Sequence, residues 1–367
     1  MNLAIVCDDL IQFGGAERIV EEFSDMFPEA PIYTSVASKA WLQKYQKKGR
    51  VVKTSFLQKF PLAVKLNRYY APFFLQELGF ESFDFSIFDV VLSSSTRFAH
   101  HIITRPTTKH ICYMHSPGRM FWEPQEYFEN ENFGFLKPLK NLATTFLKIP
   151  LLYIRILDYS AAKKVDNFIA NSIFTQKKIK KYYNRDSDIV YPYIDNKSFK
   201  GVKSTEGNYF LVVTRLLSWK KVDIAIEACK KLDVKLKIMG EGPDEQRLKS
   251  ISDDHIEFLG YLGDREKMKI MEECRALIVT QKEDFGIAPL EVMACGKPVI
   301  AYKAGGVLES VIDGVTGEFF QEQSAKSLEE VLQYFDSEKY LFSDCKKRAQ
   351  GFDVETFRQR IREKVKV

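Results

Sequence analysis

The segment KEDFGIAPLEVMACGKPVIAYKAGG, from Lys282 to Gly306, sets Glu283 in a loop directly after a strand and Glu291 on a helix that starts near Ala288. Eight positions separate these two carboxylates, which still face one cleft. A carboxylate accepts a pair of hydrogen bonds from a vicinal diol, so one can hold sugar hydroxyls while the other holds the ribose of a nucleotide. The backbone amides of Phe285, Gly286, Ile287, Ala288 and Leu290, at a helix N-terminus, supply the anion site a diphosphate requires. TRLLSWKK adds Arg215 at a strand end and Lys220 five residues later on the same loop. Fixed cations there can grip a diphosphate and stabilise the charge that grows on it as it leaves. A helix-stabilising acid and a solvated basic turn would explain each pair taken alone. GEGPDEQRL forms a third strand-turn-helix corner, with Gly240 and Gly242 flanking Glu241 and permitting close backbone approach to a ligand. It is not a GxGxxG fingerprint, which weakens a dinucleotide-cofactor reading.

In the first half, FGGAERIVEEF puts Gly14 and Gly15 just ahead of a helix, a second anion cradle. His115 ends the strand ICYM and precedes Ser-Pro, so its ring is expected at a domain interface rather than in a core. His100 and His101 are adjacent; in an extended chain they point oppositely and make a poor metal pair. Asp186 and Asp188 read as a charged loop before IVYPYI rather than a chelate. Neither a metal nor a cofactor is expected.

These residues need two series of strands and helices to position them. Leu3 to Cys7, FDVVLSSS, HICYMHSPG and VDNFIANS are apolar runs ending in polar loops, as buried parallel strands do. A second series follows Tyr209: YFLVVTRL, KLKIMGEGP, IEFLGYLG, ALIVTQKEDFG, KPVIAYKAGG and GEFF, separated by helical stretches at Val222 to Leu232 and Glu266 to Arg275. The fold class is α/β, with two Rossmann-like domains. The polar stretch Tyr191 to Asn208 places the boundary near Asp195, giving domains 1–195 and 196–351. The tail 352–367 reads as one amphipathic helix with Phe352, Val354, Phe357 and Ile361 available to pack.

Composition narrows the partners. A chain of 367 residues exceeds a single core. Its charge of +5, from 54 basic and 49 acidic side chains, comes without the basic blocks of a nucleic-acid binder. Six scattered cysteines without a CxxC pair fit reduced, buried thiols. MNLAIVCDDL carries acids where a signal peptide stays apolar, so export is not expected.

Together GGAER, His115 in YMHSP, Arg215 with Lys220, GEGP, and EDFGIAPLE with its following GKPVIA and AGG resemble the signature set of glycosyltransferase family 4, in the family's order and across nearly the whole chain. The resemblance implies a GT-B fold with an N-terminal acceptor domain and a C-terminal donor domain facing a central cleft, a last helix, 352–367, that packs back on the first domain, and transfer with retention and without a metal. It assigns Arg215 and Lys220 to the donor diphosphate, Glu283 to the hexose, Glu291 to the ribose, and Gly14 and Gly15 to the phosphates. His115 would contact the transferring sugar, the GEGP corner (Gly240, Glu241, Gly242) would line the donor site, and FLGYLG, including Leu262, would meet the base. The pieces HSPGRMFW, ANSIFTQKKIKKYY and VYPYID look most like bacterial mannosyltransferases of surface polysaccharide synthesis. They favour GDP-mannose, with Arg119 and Trp122 toward a glycan or lipid-linked oligosaccharide acceptor. Closely similar chains use other nucleotide sugars, and TQKEDFG lacks the Pro-Ser often found before the first acid.

From Gly134 to Lys164, Lys137, Lys140, Lys148, Arg155, Lys163 and Lys164 stand against Asp158 alone, among Phe, Leu, Ile and Tyr, and Lys59 to Phe74 has the same character. That suits an anionic lipid surface, and ordinary core helices with solvated lysines are the simpler reading. A cytoplasmic location with peripheral attachment to the inner membrane is the expectation. Rival readings are a nucleotide-sugar 2-epimerase, which needs no acceptor, and a two-lobed binding protein, which the paired donor motifs disfavour.

Overall fold

Apolar runs of four to six residues, buried on both faces, can pair only in a sheet covered on both sides by helices, and the chain builds two such sheets. The computed structural model describes residues 1–67, 70, 73–128, 140–203 and 205–366, with the backbone alone for 128 and 140–147. Gly134 and Lys137 of the basic stretch, and the side chain of Lys140, lie outside the described residues.

The first sheet holds β1 (Leu3–Cys7), β2 (Ile32–Thr34), β3 (Val52–Thr54), β4 (Val90–Ser95), β5 (Lys109–Met114), β6 (Asn167–Ala170) and β7 (Ser187–Ile189). All pair in parallel in the order β3-β2-β1-β4-β5-β6-β7. The second holds β8 (Phe210–Val213), β9 (Leu236–Met239), β10 (Ile256–Gly260), β11 (Ala276–Val279), β12 (Val299–Tyr302) and β13 (Gly317–Phe320), parallel in the order β10-β9-β8-β11-β12-β13. Each sheet reverses its winding once, between β1 and β4 in the first and between β8 and β11 in the second. Loops leaving the strand C-termini diverge there and open a crevice.

Two compact units follow. The first runs from Met1 to Gln125, resumes through the helix Lys140–Lys164 to Val190, and takes in residues from Arg358 onward; the second holds Tyr191–Phe357. The division falls at Tyr191, ahead of Asp195. The last helix, Val354–Val365, is shared between them by sequence: Phe357 meets Tyr193 with ring centroids 5.0 Å apart, in the second unit. In the first, Arg358 pairs with Glu22 at 2.5 Å and Lys364 with Asp188 at 2.7 Å. The six cysteines are free and buried, and burial pushes the thiols of Cys229, Cys274 and Cys345 up to about 12.

Asp186 and Asp188 do not lie together in a loop. Ser187–Ile189 is the edge strand β7, and the two acids face different cations, Lys180 at 2.8 Å and Lys364 at 2.7 Å.

Candidate functional site

In the second unit, Lys220 and Glu283 meet at the crevice between β8 and β11. Arg215 lies in the loop after β8, and Lys220 closes the short helical turn Ser218–Lys220 on the same loop. Glu283 lies in the loop after β11, the strand paired beside β8. Lys220 Nζ sits 2.5 Å from Glu283 Oε1, and the Gln281 amide donates to the same oxygen at 2.5 Å. The Thr280 hydroxyl donates to the Lys220 carbonyl at 2.9 Å, locking one loop onto the other. Lys220 also rides over the Trp219 ring, 4.3 Å from its centroid.

Gly286 caps the helix Ile287–Ala294 with φ of 87°, a conformation that favours glycine, and no side chain caps it among the described residues. Its leading amides at Ile287 and Ala288 therefore remain as an anion-facing terminus. Phe285 contributes backbone only, since its ring is buried against Tyr191 and Phe352, with centroids 5.7 Å from each. Leu290 is fully buried, and Leu262 packs against the core. Glu291, nearly buried on the helix, is held at 2.7 Å by Lys267, a partner the sequence reading did not name.

The glycines of the GEGP corner permit a close approach within the chain itself. A Cβ on Gly240 would fall 1.9 Å from the Thr214 carbonyl oxygen, and one on Gly242 would fall 2.2 Å from that of Leu216. They let this corner press against the loop that carries Arg215, and two backbone hydrogen bonds, Leu216 to Glu241 and Asp244 to Leu216, each 3.0 Å, stitch the pair. Glu241 turns toward the Tyr261 amide at 3.3 Å. Gly305 and Gly306 do the same for the acidic loop: Cβ atoms there would meet Glu283 O at 2.3 Å and Asp284 O at 2.1 Å.

In the first unit Gly14 caps and Gly15 begins the helix Gly15–Met26, and the Glu17 carboxylate lies over that terminus, 2.9 Å from where a Gly14 Cβ would be. At the end of β1, Asp8 is wrapped by the loop that follows β4. Asp8 accepts from the amides of Thr96, Arg97, Phe98 and Ala99 and from the Thr96 hydroxyl, at 2.5 to 3.1 Å. Burial would raise this carboxyl, but Arg97 and those donors outweigh it and lower its pKa. Sequence reasoning passed over Asp8; its place directly after β1 was the signal available.

His115 follows β5 with Nε2 2.8 Å from the Ser94 hydroxyl, and its backbone is pinned by Asn171 and Thr175, which donate to its carbonyl at 3.0 and 3.2 Å. Arg119 opens the short helix Arg119–Trp122 that follows. Trp122 donates to Asp158 at 2.6 Å and stacks on Tyr182, with ring centroids 4.9 Å apart.

The reading of His100 and His101 as opposed side chains is corrected. The chain turns at Phe98, whose carbonyl accepts from the His101 amide, and both imidazoles converge on Asp158, with Nε2 atoms 3.2 and 3.0 Å from one carboxylate oxygen. These are metal-ligand types, grouped within 4.8 Å of one another and wholly buried. Burial is offset at Asp158 by the two imidazoles, which hold its carboxyl well below the usual range.

With this geometry in place, residues 194–352 match the family Glycosyl transferases group 1. That match lies within the second unit, Tyr191–Phe357. The chain is 30% identical over 187 residues to an uncharacterized glycosyltransferase of Methanocaldococcus jannaschii, covering 49% of this chain and 52% of that one. It is 26% identical over 380 residues to the alpha-1,3/1,6-mannosyltransferase ALG2 of Kluyveromyces lactis, covering 85% and 71%. Across the first curated relatives it matches, the chain spans about half of their length. Its fold is shared along its whole length with Anabaena HepE, solved with UDP-glucose, at a TM-score of 0.71 and 18% identity, covering 100% and 99%. Both sheets thus have the GT-B fold, and the loops of the β8/β11 crevice lie within the matched residues 194–352.

Proposed function

We propose that this chain moves a hexose from a nucleotide diphosphate onto a glycan or lipid-linked oligosaccharide, with retention, and that the donor is GDP-mannose. The observation that carries the transfer reading is the Lys220–Glu283 contact at the β8/β11 crevice, beside the helix terminus at Gly286 and within the glycosyltransferase domain. A diphosphate laid there meets Arg215, Lys220 and the amides of Ile287 and Ala288. Lys220 then exchanges part of its contact with Glu283 for phosphate, and Glu283 turns its oxygens to sugar hydroxyls. These fixed cations supply the stabilising charge, so the reading requires no metal. The acceptor hydroxyl attacks on the face the diphosphate leaves, and the departing phosphate oxygen takes its proton. His115 is assigned to the transferring sugar, and Gly14 and Gly15 to the phosphates.

Mannose is supported by the names of the mannosyltransferase relatives. A UDP-sugar is the second reading, supported by the UDP-glucose complex of HepE, and a 2-epimerase is the third. Thermal stabilisation by GDP, UDP and their sugars ranks the donors. Incubation of the preferred donor with and without acceptor glycans, in buffer with chelator, separates transfer from epimerisation. Stabilisation by UDP alone removes GDP-mannose, conversion of donor without acceptor removes transfer, and loss of turnover with chelator removes the metal-free mechanism.

A further inference from the structure

A surface helix normally carries one apolar stripe, which faces its core. The helix Lys140–Lys164 carries two. Leu151, Ile154, Ala161 and Ala162 are buried within the first unit. Ile149, Leu152, Tyr153, Ile156 and Leu157 recur at the spacing of a second stripe and are exposed, with Ile149 at 64% and Ile156 at 54%. At Tyr153 this stripe meets a second apolar segment, through the Phe74 ring 6.4 Å away. That segment exposes Phe60, Leu62, Leu66 and Phe73, with Leu62 at 62% and Phe73 at 69%. An exposed apolar surface continuous over two segments marks an interaction site.

The charges on it have one sign. Residues 56–74 contain no Asp or Glu, nor do residues 140–157, and Asp158 is fully buried. Lys59, Lys65 and Lys148 are exposed beside the apolar side chains, and Arg155 is half-buried among them. Protein interfaces are depleted in lysine, whereas apolar side chains rimmed by Lys and Arg suit the boundary between acyl chains and anionic headgroups. Among the described residues no helix is long and apolar enough to cross a membrane, so this helix can lie along a bilayer but not span it.

We propose that this face of the first unit, the Ile149–Leu157 stripe with Phe60, Leu62, Leu66 and Phe73, docks on an anionic lipid surface. The helix lies in the interfacial plane, its outer stripe enters the acyl boundary, and the flanking lysines meet lipid phosphates. The proposal stands on this surface alone and is independent of the sugar-transfer reading.

Flotation of the full chain with vesicles of phosphatidylcholine, or of phosphatidylcholine with phosphatidylglycerol, tests it. Binding is expected to the anionic vesicles and to weaken as salt is raised. Each basic side chain removed should lower partitioning by about fivefold, so Lys59→Glu with Lys65→Glu should cost on the order of tenfold or more. Ile149→Ser with Leu152→Ser and Ile156→Ser should abolish flotation. These positions are exposed, so the melting temperature and its increase with nucleotide should not change. Absence of flotation with anionic vesicles overturns the proposal, as does flotation that either set of variants leaves intact. A dimer in sedimentation that the serine variants dissociate also overturns it, by assigning the face to a second copy of the chain. Failure of the sugar-transfer reading would appear in the nucleotide measurements and leave flotation untouched.

Discussion

Lys220 and Glu283, on loops that leave two neighbouring parallel strands, meet at 2.5 Å in the second unit. The pair is partly buried, so each charge is set in place by the other before any ligand arrives. Lys220→Ala should lower kcat by roughly a hundredfold to a thousandfold, the loss typical when one group that stabilises a leaving charge is removed. Glu283→Gln should act mainly on the sugar, depressing turnover while nucleotide diphosphate still raises the melting temperature. Steady-state rates and thermal shifts of the two variants check this; near-normal rates would remove the pair from the chemistry.

Gly305 has φ of +84° and no space for a Cβ, which would fall 2.3 Å from the Glu283 carbonyl. Gly305→Ala should therefore cost on the order of 3 kcal/mol in denaturant unfolding, through backbone strain and displacement of the acidic loop. Its residual activity should fall further than the stability loss alone explains. An alanine variant as stable and active as the parent would show that the loop moves freely.

Glu77 is buried in the first unit, and neither carboxylate oxygen meets a hydrogen-bond partner among the described residues. Burial, with a smaller contribution from Asp158 and Glu81, raises its pKa from 4.5 to about 7. A raised carboxyl pKa means the folded state holds the proton more tightly than the unfolded one. Its contribution is thus fully present below the unfolded value and is lost as pH rises through about 7. Glu77→Gln should flatten the pH dependence of stability between those values and gain roughly 3 kcal/mol at alkaline pH. Urea unfolding across that range checks it, and parallel curves for parent and variant would refute it.

Trp122 donates to Asp158, a buried carboxylate that also faces His100 and His101. Trp122→Phe should cost about 1–3 kcal/mol by leaving that oxygen unpaired, with acceptor KM little changed. Asp158→Ala should cost about 3–5 kcal/mol, because it strands the groups gathered around the acid. A Trp122→Phe variant of normal stability with a raised acceptor KM would return the indole to an acceptor role.

The six strands of the second sheet were legible as apolar runs, because strands buried on both faces need nothing but apolar length. So were β1, β4, β5 and β6. The three-residue strands β2, β3 and β7 were not: the buried β2 is too short to show a pattern, and at the edges β3 and β7 pairing asks little of side chains, so Ser187–Ile189 reads as polar loop. The contact of Lys220 with Glu283 was implied by two motifs on loops after strands, but their adjacency depends on β8 pairing with β11, which strand order alone decides. The convergence of His100 and His101 was hidden because periodicity assumes an extended chain, whereas Asp8 binds successive amides there and bends it. The GEGP glycines were recognised as needed for close approach, but their neighbour proved to be the chain's own carbonyls.

Two sheets of like winding would ordinarily offer two equivalent receptors for an anion. Because Asp8 already occupies the amides of one, the molecule is wired for a single guest: calorimetric titration should saturate at one diphosphate per chain, and Asp8→Asn should loosen the first sheet's loop without creating a productive second seat.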